Sequence, residues 1–217
     1  MKKSEEDYIK TILELQTLTP EPFIKVSEIA QTFGYSEQSV YEMIRRLQEL
    51  SFVIYTPYKG IELTKEGEAE AIRLVRAHRI WEVFLTETLG FSWQDVHQEA
   101  EQLEHASSEL LLERLYDFLG QPKECQHGNP IPNFKGQVKR VKYPSLWEAT
   151  VGQSFVLRRV IDDYELLSYL QDEGIELHQT LDVVQVNPFQ ELLHVTLNDR
   201  VVILSKKIAS MIYGTLT

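Results

Sequence analysis

The chain has 217 residues, of which 43% are hydrophobic, and this is enough to bury more than one core. Its single cysteine excludes an internal disulfide framework, and no apolar run reaches the roughly 18 residues of a transmembrane helix. The formal net charge of −11 argues against a protein that coats nucleic acid non-specifically. A cytoplasmic protein without a signal peptide or a membrane partner is therefore expected.

The first 64 residues combine amphipathic helices with a short hairpin. Gly34 suits the tight turn between the second and third helices, and Ser36 is expected to cap the third. The second helix is expected to begin with Ser27 as its N-cap. This order predicts a winged helix-turn-helix domain, with a small helical interaction domain of the same shape as the alternative. The predicted elements are helices over residues 4–18, 26–33 and 37–50 and two short strands within 52–63.

The exposed face of the third helix carries side chains that suit the major groove of DNA. The charge is also most nearly balanced here, since residues 1–65 carry 8 basic and 10 acidic groups. DNA binding is therefore assigned to this domain. The predicted DNA-contacting residues are Ser36, Gln38, Ser39, Tyr41, Glu42, Arg45 and Arg46, together with Lys59 in the turn of the hairpin.

The most informative stretch is residues 97–105, which reads as a helix. His97, Glu101, Glu104 and His105 then share an arc of roughly 100°. No lysine or arginine lies between Asp95 and Glu113, although a solvated helix face normally mixes charges of both signs. Carboxylates this close repel one another unless a proton or cation lies among them. Metal binding is favoured over a merely acidic surface helix.

Two more helices are expected around this stretch. A long one runs from Thr64 to about Gly90 and places His78 and Glu82 four residues apart on one face. Another, over residues 107–119, adds more apolar surface than so few helices need, which predicts a dimer interface. The residues of this apolar surplus are Trp81, Phe84, Leu85, Leu111, Leu115 and Phe118.

The remainder of the chain is predicted to contain a loop, a linker and a small β domain. The loop is pinned by prolines and places Cys125 two residues before His127, a spacing that is a weak metal signal alone. Asp162 follows the first predicted strand. The predicted elements are strands over residues 154–160, 180–186, 192–197 and 201–204 and helices over 163–171 and 205–213.

Taken together, these stretches resemble the metal-dependent repressor family of the diphtheria toxin repressor, and more closely its manganese-responsive branch with an SH3-like C-terminal domain. The resemblance covers essentially the whole chain. It implies an α+β, mainly α protein with a winged helix-turn-helix at 1–64, a helical metal-binding and dimerisation domain at 65–133, a linker at 134–143 and an SH3-like (FeoA-type) domain at 144–217. The matching stretches are Glu6–Ile12, Val26–Leu50, Ala77–Leu85, Val96–His105 and Pro122–Pro132.

The resemblance implies two metal sites per subunit. The primary site would contain Asp7, Glu101, Glu104 and His105, with His78 close by. The secondary site would contain Glu82, Cys125, His127 and Asp162, with His97 as an additional member.

Departures within the family bear on the metal. Asp7 and Glu101 are hard carboxylates where the iron-responsive branch has a methionine and a cysteine, which favours Mn²⁺. Cys125 is a soft ligand, so Fe²⁺ or Zn²⁺ are possible substitutes at the second site. Lys10 stands where small two-domain manganese regulators carry a further carboxylate. A paired-metal site is therefore not expected around the first helix, and the Lys10 ammonium is expected to offset a neighbouring acid.

These features predict a homodimeric, manganese-activated repressor of manganese-uptake genes that binds palindromic operator DNA. Metal would fix the orientation of the winged domains, so that both recognition helices match the half-sites. An iron- or zinc-responsive repressor is the closest alternative. A metallohydrolase would leave the helix-turn-helix unexplained, and no His-Glu-x-x-His motif occurs. A metal-buffering protein would have no use for Arg45 and Arg46 in DNA binding.

Overall fold

The computed structural model describes residues 1–18, 22–93, 95–137 and 142–217 as a mixture of helix and sheet. Within those ranges no helix has the length and hydropathy that a membrane crossing requires. The chain divides into two compact units, and helices α4 (Lys65–Leu89) and α5 (Val96–Ala106) contribute to both. The first unit contains Met1–His78, Leu103–Ser108 and Pro132–Gln137, and the second contains Arg79–Gln102, Glu109–Ile131 and the C-terminal segment that ends at Thr217.

The first unit contains the expected helix-turn-helix and its wing. Gly34 ends α2 at a φ of +68°, and the Ser36 hydroxyl accepts a hydrogen bond from the Ser39 backbone N–H at the start of α3. Ser27 is not the N-cap of α2, because the helix begins at Val26 and Lys25 occupies the N-cap position. The Glu28 carboxylate accepts a hydrogen bond from the Lys25 backbone N–H at 2.7 Å. The elements are α1 (Lys3–Leu18), α2 (Val26–Phe33), α3 (Glu37–Glu49), β1 (Val53–Thr56) and β2 (Gly60–Leu63).

A glycine at the start of α4 allows a close approach of two backbones. The Thr64 hydroxyl accepts from the Gly67 backbone N–H at 3.0 Å and donates to the Ser51 carbonyl at 2.7 Å. A Cβ atom at Gly67 would lie 1.9 Å from the Phe52 carbonyl oxygen, well inside contact distance. Gly67 is therefore required for this packing.

The second unit contains a five-stranded antiparallel sheet with strand order β6-β5-β4-β3-β7. Helix α7 packs Leu166, Leu167 and Leu170 into the same core as the fully buried Phe155. The domain is β-rich and SH3-like. Its elements are β3 (Ser154–Val160), α7 (Tyr164–Asp172), β4 (Thr180–Asn187), β5 (Leu192–Leu197), β6 (Arg200–Ser205), α8 (Lys206–Ala209) and β7 (Ile212–Leu216), after α6 (Glu109–Phe118).

One predicted element is wrong in part. The helix expected over residues 205–213 ends at Ala209, and the chain then enters β7. Strand β7 pairs with β3, with Ile212 opposite Val160 and Gly214 opposite Leu157. Sheet pairing with a strand more than 50 residues away overrides the local helical pattern. The linker predicted at 134–143 lies partly outside the described residues, which omit 138–141.

The apolar surplus of the helical region is only partly buried in the chain. Leu85 and Leu115 are buried within the second unit, where Leu115 belongs to a small core with Ile80 and Val83. Phe118 is 72% exposed, and Leu111 on the same helix is also exposed. Helix α6 therefore retains an exposed apolar face beside the residues that it buries.

The contact at Gly67 generates a stability prediction. Alanine normally stabilises a helix relative to glycine by about 1 kcal/mol, but Gly67→Ala is expected to destabilise the protein by about 3 kcal/mol because its methyl group meets the Phe52 backbone. Urea unfolding of metal-stripped protein, followed by circular dichroism, measures the change. The matched control is Ala69→Gly at an exposed position of the same helix, with an expected cost of about 1 kcal/mol. A Gly67→Ala protein as stable as wild type would contradict the packing role.

Candidate metal centres

Three predicted ligands lie together in the first unit: Asp7 of α1 and Glu104 and His105 of α5, which we name the helix 1 cluster. Their ligand atoms lie within 4.8 Å of one another. His105 Nε2 lies 2.9 Å from Asp7 Oδ1 and 3.4 Å from Glu104 Oε1. The other ring nitrogen, Nδ1, lies 2.5 Å from the Glu6 carboxylate. Glu6 thus orients the ring so that Nε2 faces the cluster.

The local sequence explains why these side chains meet. Helix α1 buries Ile9 and Ile12 completely, so Asp7 lies beside the buried stripe and remains 27% exposed. Glu104 is fully buried, and His105 follows it directly on α5. Sequence reasoning did not single out Glu6, although it lies next to Asp7 in a stretch that carries the family resemblance.

A lysine also enters this region. Lys10 Nζ donates to both carboxylate oxygens of Glu104, at 2.7 and 3.0 Å, and lies 3.3 Å from His78 Nδ1. The same His78 nitrogen lies 2.6 Å from Glu104 Oε2. The acid that Lys10 was expected to offset is therefore Glu104. His78, which was expected close to the primary ligands, is held against one of them.

The second predicted site is assembled within the second unit from Glu82 on α4, Cys125 and His127 in the loop after α6, and Asp162 after β3. We name these four residues the Cys125 cluster; their ligand atoms lie within 4.8 Å of one another. His127 Nδ1 lies 3.0 Å from Glu82 Oε1 and 2.9 Å from Asp162 Oδ1. Glu82 and His127 are fully buried, so two carboxylates face one imidazole away from water.

A tight loop presents Cys125 and His127. The Gly128 N–H donates to the Cys125 carbonyl at 2.9 Å, and the Cys125 N–H donates to the Asn129 carbonyl at 2.9 Å. Gly128 has a φ of +75°, and a Cβ there would lie 2.0 Å from the Arg158 carbonyl oxygen. Only glycine allows the loop to approach β3 this closely.

Asn129 is a positioning residue that the sequence reasoning missed. Its side-chain amide donates to Asp162 Oδ1 at 3.0 Å and to the Val160 carbonyl at 3.1 Å. It therefore ties the loop to the end of β3 and restricts the orientation of the Asp162 carboxylate. The sequence feature that could have indicated this role is the position of Asn129, two residues after His127 in the proline-bounded loop.

The buried cluster shifts the ionisation of its members. Burial raises the pKa of the Cys125 thiol to about 12, and the Glu82 carboxylate adds to the rise. Burial alone would lower the pKa of His127, but the Glu82 and Asp162 carboxylates raise it well above its ordinary value. Burial and Glu82 oppose ionisation of Asp162, yet the contact with His127 leaves the pKa of Asp162 below its ordinary value. Near neutral pH the thiol and the imidazole both carry protons.

Two more predicted ligands, His97 and Glu101, belong to the second unit. His97 lies 4.0 Å from Glu82 Oε1 and 3.9 Å from Glu101 Oε1, beyond hydrogen-bond distance of either carboxylate. Glu101 lies three residues before Glu104 on α5 and therefore one helical turn away from it. His97 thus lies between a member of the Cys125 cluster and the expected primary ligand Glu101.

The residues predicted to contact DNA lie on the exposed side of α3 and at the wing. Arg46 is half exposed, and its Nε lies 2.5 Å from Glu5 of α1. Tyr41 contacts Tyr55 of β1 edge to face, with ring centroids 5.5 Å apart. Lys59 lies over the Phe23 ring at 5.8 Å. The others are exposed: Ser36, Gln38, Ser39, Glu42 and Arg45.

Both clusters fit a divalent metal ion by the chemistry of their donors. The helix 1 cluster offers carboxylate oxygens and one imidazole nitrogen, the hard set that suits Mn²⁺. The Cys125 cluster adds a sulfur atom, which suits softer ions such as Zn²⁺ or Fe²⁺. In both, a histidine ring lies among carboxylates that repel one another when ionised.

Comparison with known proteins assigns a family to each part of the chain. Residues 1–61 match the N-terminal DNA-binding domain of iron-dependent repressors. Residues 64–133 match the metal-binding and dimerisation domain of the same proteins, and residues 145–216 match the FeoA domain.

Individual relatives cover most of the chain. The iron-dependent repressor IdeR of Mycobacterium leprae is 30% identical over 183 residues, which span 78% of this chain and 79% of that protein. Among solved structures, the manganese regulator SloR is 32% identical with a TM-score of 0.86 and covers 98% of both chains. A manganese-dependent transcriptional repressor in complex with manganese is also 32% identical, with a TM-score of 0.88, and covers 98% of this chain and 100% of its own.

The domain matches extend over nearly the whole length and the relatives are transcriptional regulators. The winged helix exposes its third helix, and the two clusters described above fit a divalent metal ion by the chemistry of their donors. This chain belongs to the iron-dependent repressor family of the diphtheria toxin repressor, and is a metal-dependent DNA-binding transcriptional repressor.

Proposed function

We propose that the protein is a manganese-activated homodimeric repressor of manganese-uptake genes. The helix 1 cluster carries this proposal, because Asp7 of α1 and two residues of α5 bring oxygen-rich donors together beside the winged helix. Mn²⁺ binds weakly among divalent metals and is selected by such hard donors. The solved relatives named as manganese regulators support the choice of metal. A repressor acts where the genes are, so we assign it to the cytoplasm.

Two ions per subunit are proposed. The primary set is assigned from the contacts of the helix 1 cluster, with Glu101 added from its place one helical turn before Glu104 and His78 from its contact with Glu104. The secondary set is the Cys125 cluster, with His97 near Glu82. The proposed primary ligands are Asp7, Glu101, Glu104, His105 and His78, and the secondary ones are Glu82, Cys125, His127, Asp162 and His97.

The mechanism follows from where the primary donors lie. A bound divalent ion would supply the positive charge that lets several carboxylates remain together. Asp7 anchors α1 to the end of α5, and Glu5 on the same helix holds Arg46 of α3. Helix α1 therefore couples the cluster to the recognition helix, and metal and DNA affinities become linked reciprocally.

DNA recognition is assigned to the winged domain and dimerisation to the helical one. We propose the boundaries 1–64, 65–133 and 144–217 with a linker at 134–143, a division supported by domain matches over residues 1–61, 64–133 and 145–216. The exposed apolar face of α6, which includes Phe118 and Leu111, supplies a surface for a second copy. A two-fold dimer then presents two recognition helices to the half-sites of a palindrome.

An iron- or zinc-responsive repressor is the second candidate, and the sulfur donor of Cys125 favours it. Fluorescence anisotropy of labelled operator DNA separates the two. Metal-stripped protein is titrated with Mn²⁺, with Fe²⁺ without oxygen, and with Zn²⁺. Tight binding with Mn²⁺ that chelation reverses supports the proposal, whereas activation by iron or zinc alone assigns the protein to the second candidate.

Removal of one primary ligand tests the site. Glu101→Ala is expected to weaken Mn²⁺-activated DNA binding by at least about 100-fold while the dimer stays folded, because one carboxylate of the primary set is lost. The matched control is Glu99→Ala, an exposed acid on the same helix that should leave activation unchanged. Anisotropy titrations and gel filtration report both properties. Retained manganese activation in Glu101→Ala would exclude the proposed primary site.

Two neighbouring arginines give a second test. Arg45→Ala is expected to weaken operator binding about tenfold and to reduce the salt dependence of binding by about one counterion, without loss of stability. Arg46→Ala should also lower the thermal unfolding midpoint, because it leaves the buried Glu5 carboxylate without its arginine. Anisotropy at several salt concentrations and thermal scans separate the effects. Equal unfolding midpoints in the two variants would contradict the structural role of Arg46.

The Cys125 cluster predicts a pH-dependent metal affinity. The pKa of Cys125 is about 12 and that of His127 is raised, so metal binding at pH 7 must release about two protons. Affinity should therefore rise with pH by about two log units per pH unit in Glu101→Ala protein, which retains this cluster. Calorimetry in buffers of different ionisation enthalpy counts the protons. Cys125→Ala protein is expected to release about one proton on metal binding. A metal affinity that does not change with pH would contradict the assignment of the Cys125 cluster as a metal site.

A further inference from the structure

Lys10 is a buried basic residue inside the proposed primary site. Its side chain is only about one-twentieth exposed, and Glu104 is fully buried. Lys10 Nζ lies 2.7 Å from Oε2 and 3.0 Å from Oε1 of Glu104, so it contacts both oxygens with which that carboxylate can bind a metal. Lys10 also lies three residues after Asp7 on α1, hence on nearly the same face of the helix.

The Lys10 ammonium group compensates the buried negative charge of Glu104, as a bound metal ion would. An isolated buried carboxylate is costly, and so is an isolated buried ammonium group, but the pair compensates for much of both costs. His78 joins the pair at 2.6 Å from Glu104 and 3.3 Å from Lys10. The protein therefore places a positive charge of its own beside its proposed primary donors.

We propose that the Lys10 ammonium competes with the metal ion for Glu104 and so sets the metal concentration at which the repressor is activated. This inference rests on the proposed function, because it concerns the same primary site. Glu104 must exchange its contacts with Lys10 for metal contacts, and the free energy of the lysine pair is subtracted from that of metal binding. The site is thereby tuned to respond at higher metal concentrations than its carboxylates alone would allow.

A purely structural ion pair makes a different prediction. If Lys10 only stabilises the fold, its loss weakens the protein with and without metal and leaves metal affinity unchanged or lower. If it competes with metal, its loss destabilises the metal-free protein, yet strengthens metal binding. The two effects have opposite signs, so they can be separated in one set of variants.

The test uses the full-length chain with Lys10→Met, which keeps the length of the side chain without its charge, and Lys10→Gln as a second variant. Lys65→Met, at an exposed position of the same unit, is the control for overall charge. Mn²⁺ binding to metal-stripped protein is followed by electron paramagnetic resonance. Both Lys10 variants are expected to bind Mn²⁺ at least about tenfold more tightly at the primary site, and in chelator to unfold at lower temperature than wild type.

Folded Lys10 variants with unchanged or weaker Mn²⁺ affinity would overturn the inference, as would tighter binding of the same size in Lys65→Met. The operator anisotropy assay distinguishes this failure from failure of the proposed function. Manganese-activated DNA binding by wild type, with unaltered metal affinity in the Lys10 variants, rejects the competition alone. Wild-type DNA binding that does not respond to Mn²⁺ rejects the proposed function itself.

Discussion

The buried carboxylate of Glu104 constrains the first unit, because a charge removed from water must be met by groups of opposite charge or by hydrogen bonds. Lys10 of α1 and His78 of α4 meet it within 3.0 Å, and His105 follows it on α5. Three helices are thus fixed at one point by electrostatics. Carboxylate oxygens are also donors that a divalent ion prefers, so the group that fixes these three helices is the one proposed to bind metal.

Helix α1 carries this constraint to the DNA-binding surface. Asp7 faces His105 on one side of the helix, while Glu5 holds Arg46 of the recognition helix at 2.5 Å. The backbone N–H of Lys2 lowers the pKa of Glu5 and Arg46 lowers it further, against the effect of burial, so Glu5 is ionised near neutral pH. A small displacement of α1 at the cluster would therefore move Arg46, one of the predicted DNA-contacting residues.

The Cys125 cluster obeys different chemistry. Its thiol and imidazole hold protons that a metal must displace, since burial raises the pKa of Cys125 and carboxylates raise that of His127. Asp162 brings the C-terminal β-rich domain into the cluster, and Asn129 fixes its position. Metal at this site would tie that domain to α4, and the requirement for proton release gives it a dependence on pH that the oxygen-rich helix 1 cluster need not share.

The sequence by itself determined the features that depend on neighbouring residues. The turn at Gly34, the cap at Ser36 and the shared helix face of Glu104 and His105 follow from local periodicity, and together with the spacing of the histidines they identified the family. Only the tertiary structure decided which distant groups meet. Lys10 and Glu104 are 94 residues apart, Glu6 and His105 are 99 apart, and no local pattern reports such pairs. The strand after Ala209 was missed for the same reason, because its identity comes from pairing with β3 rather than from its own residues.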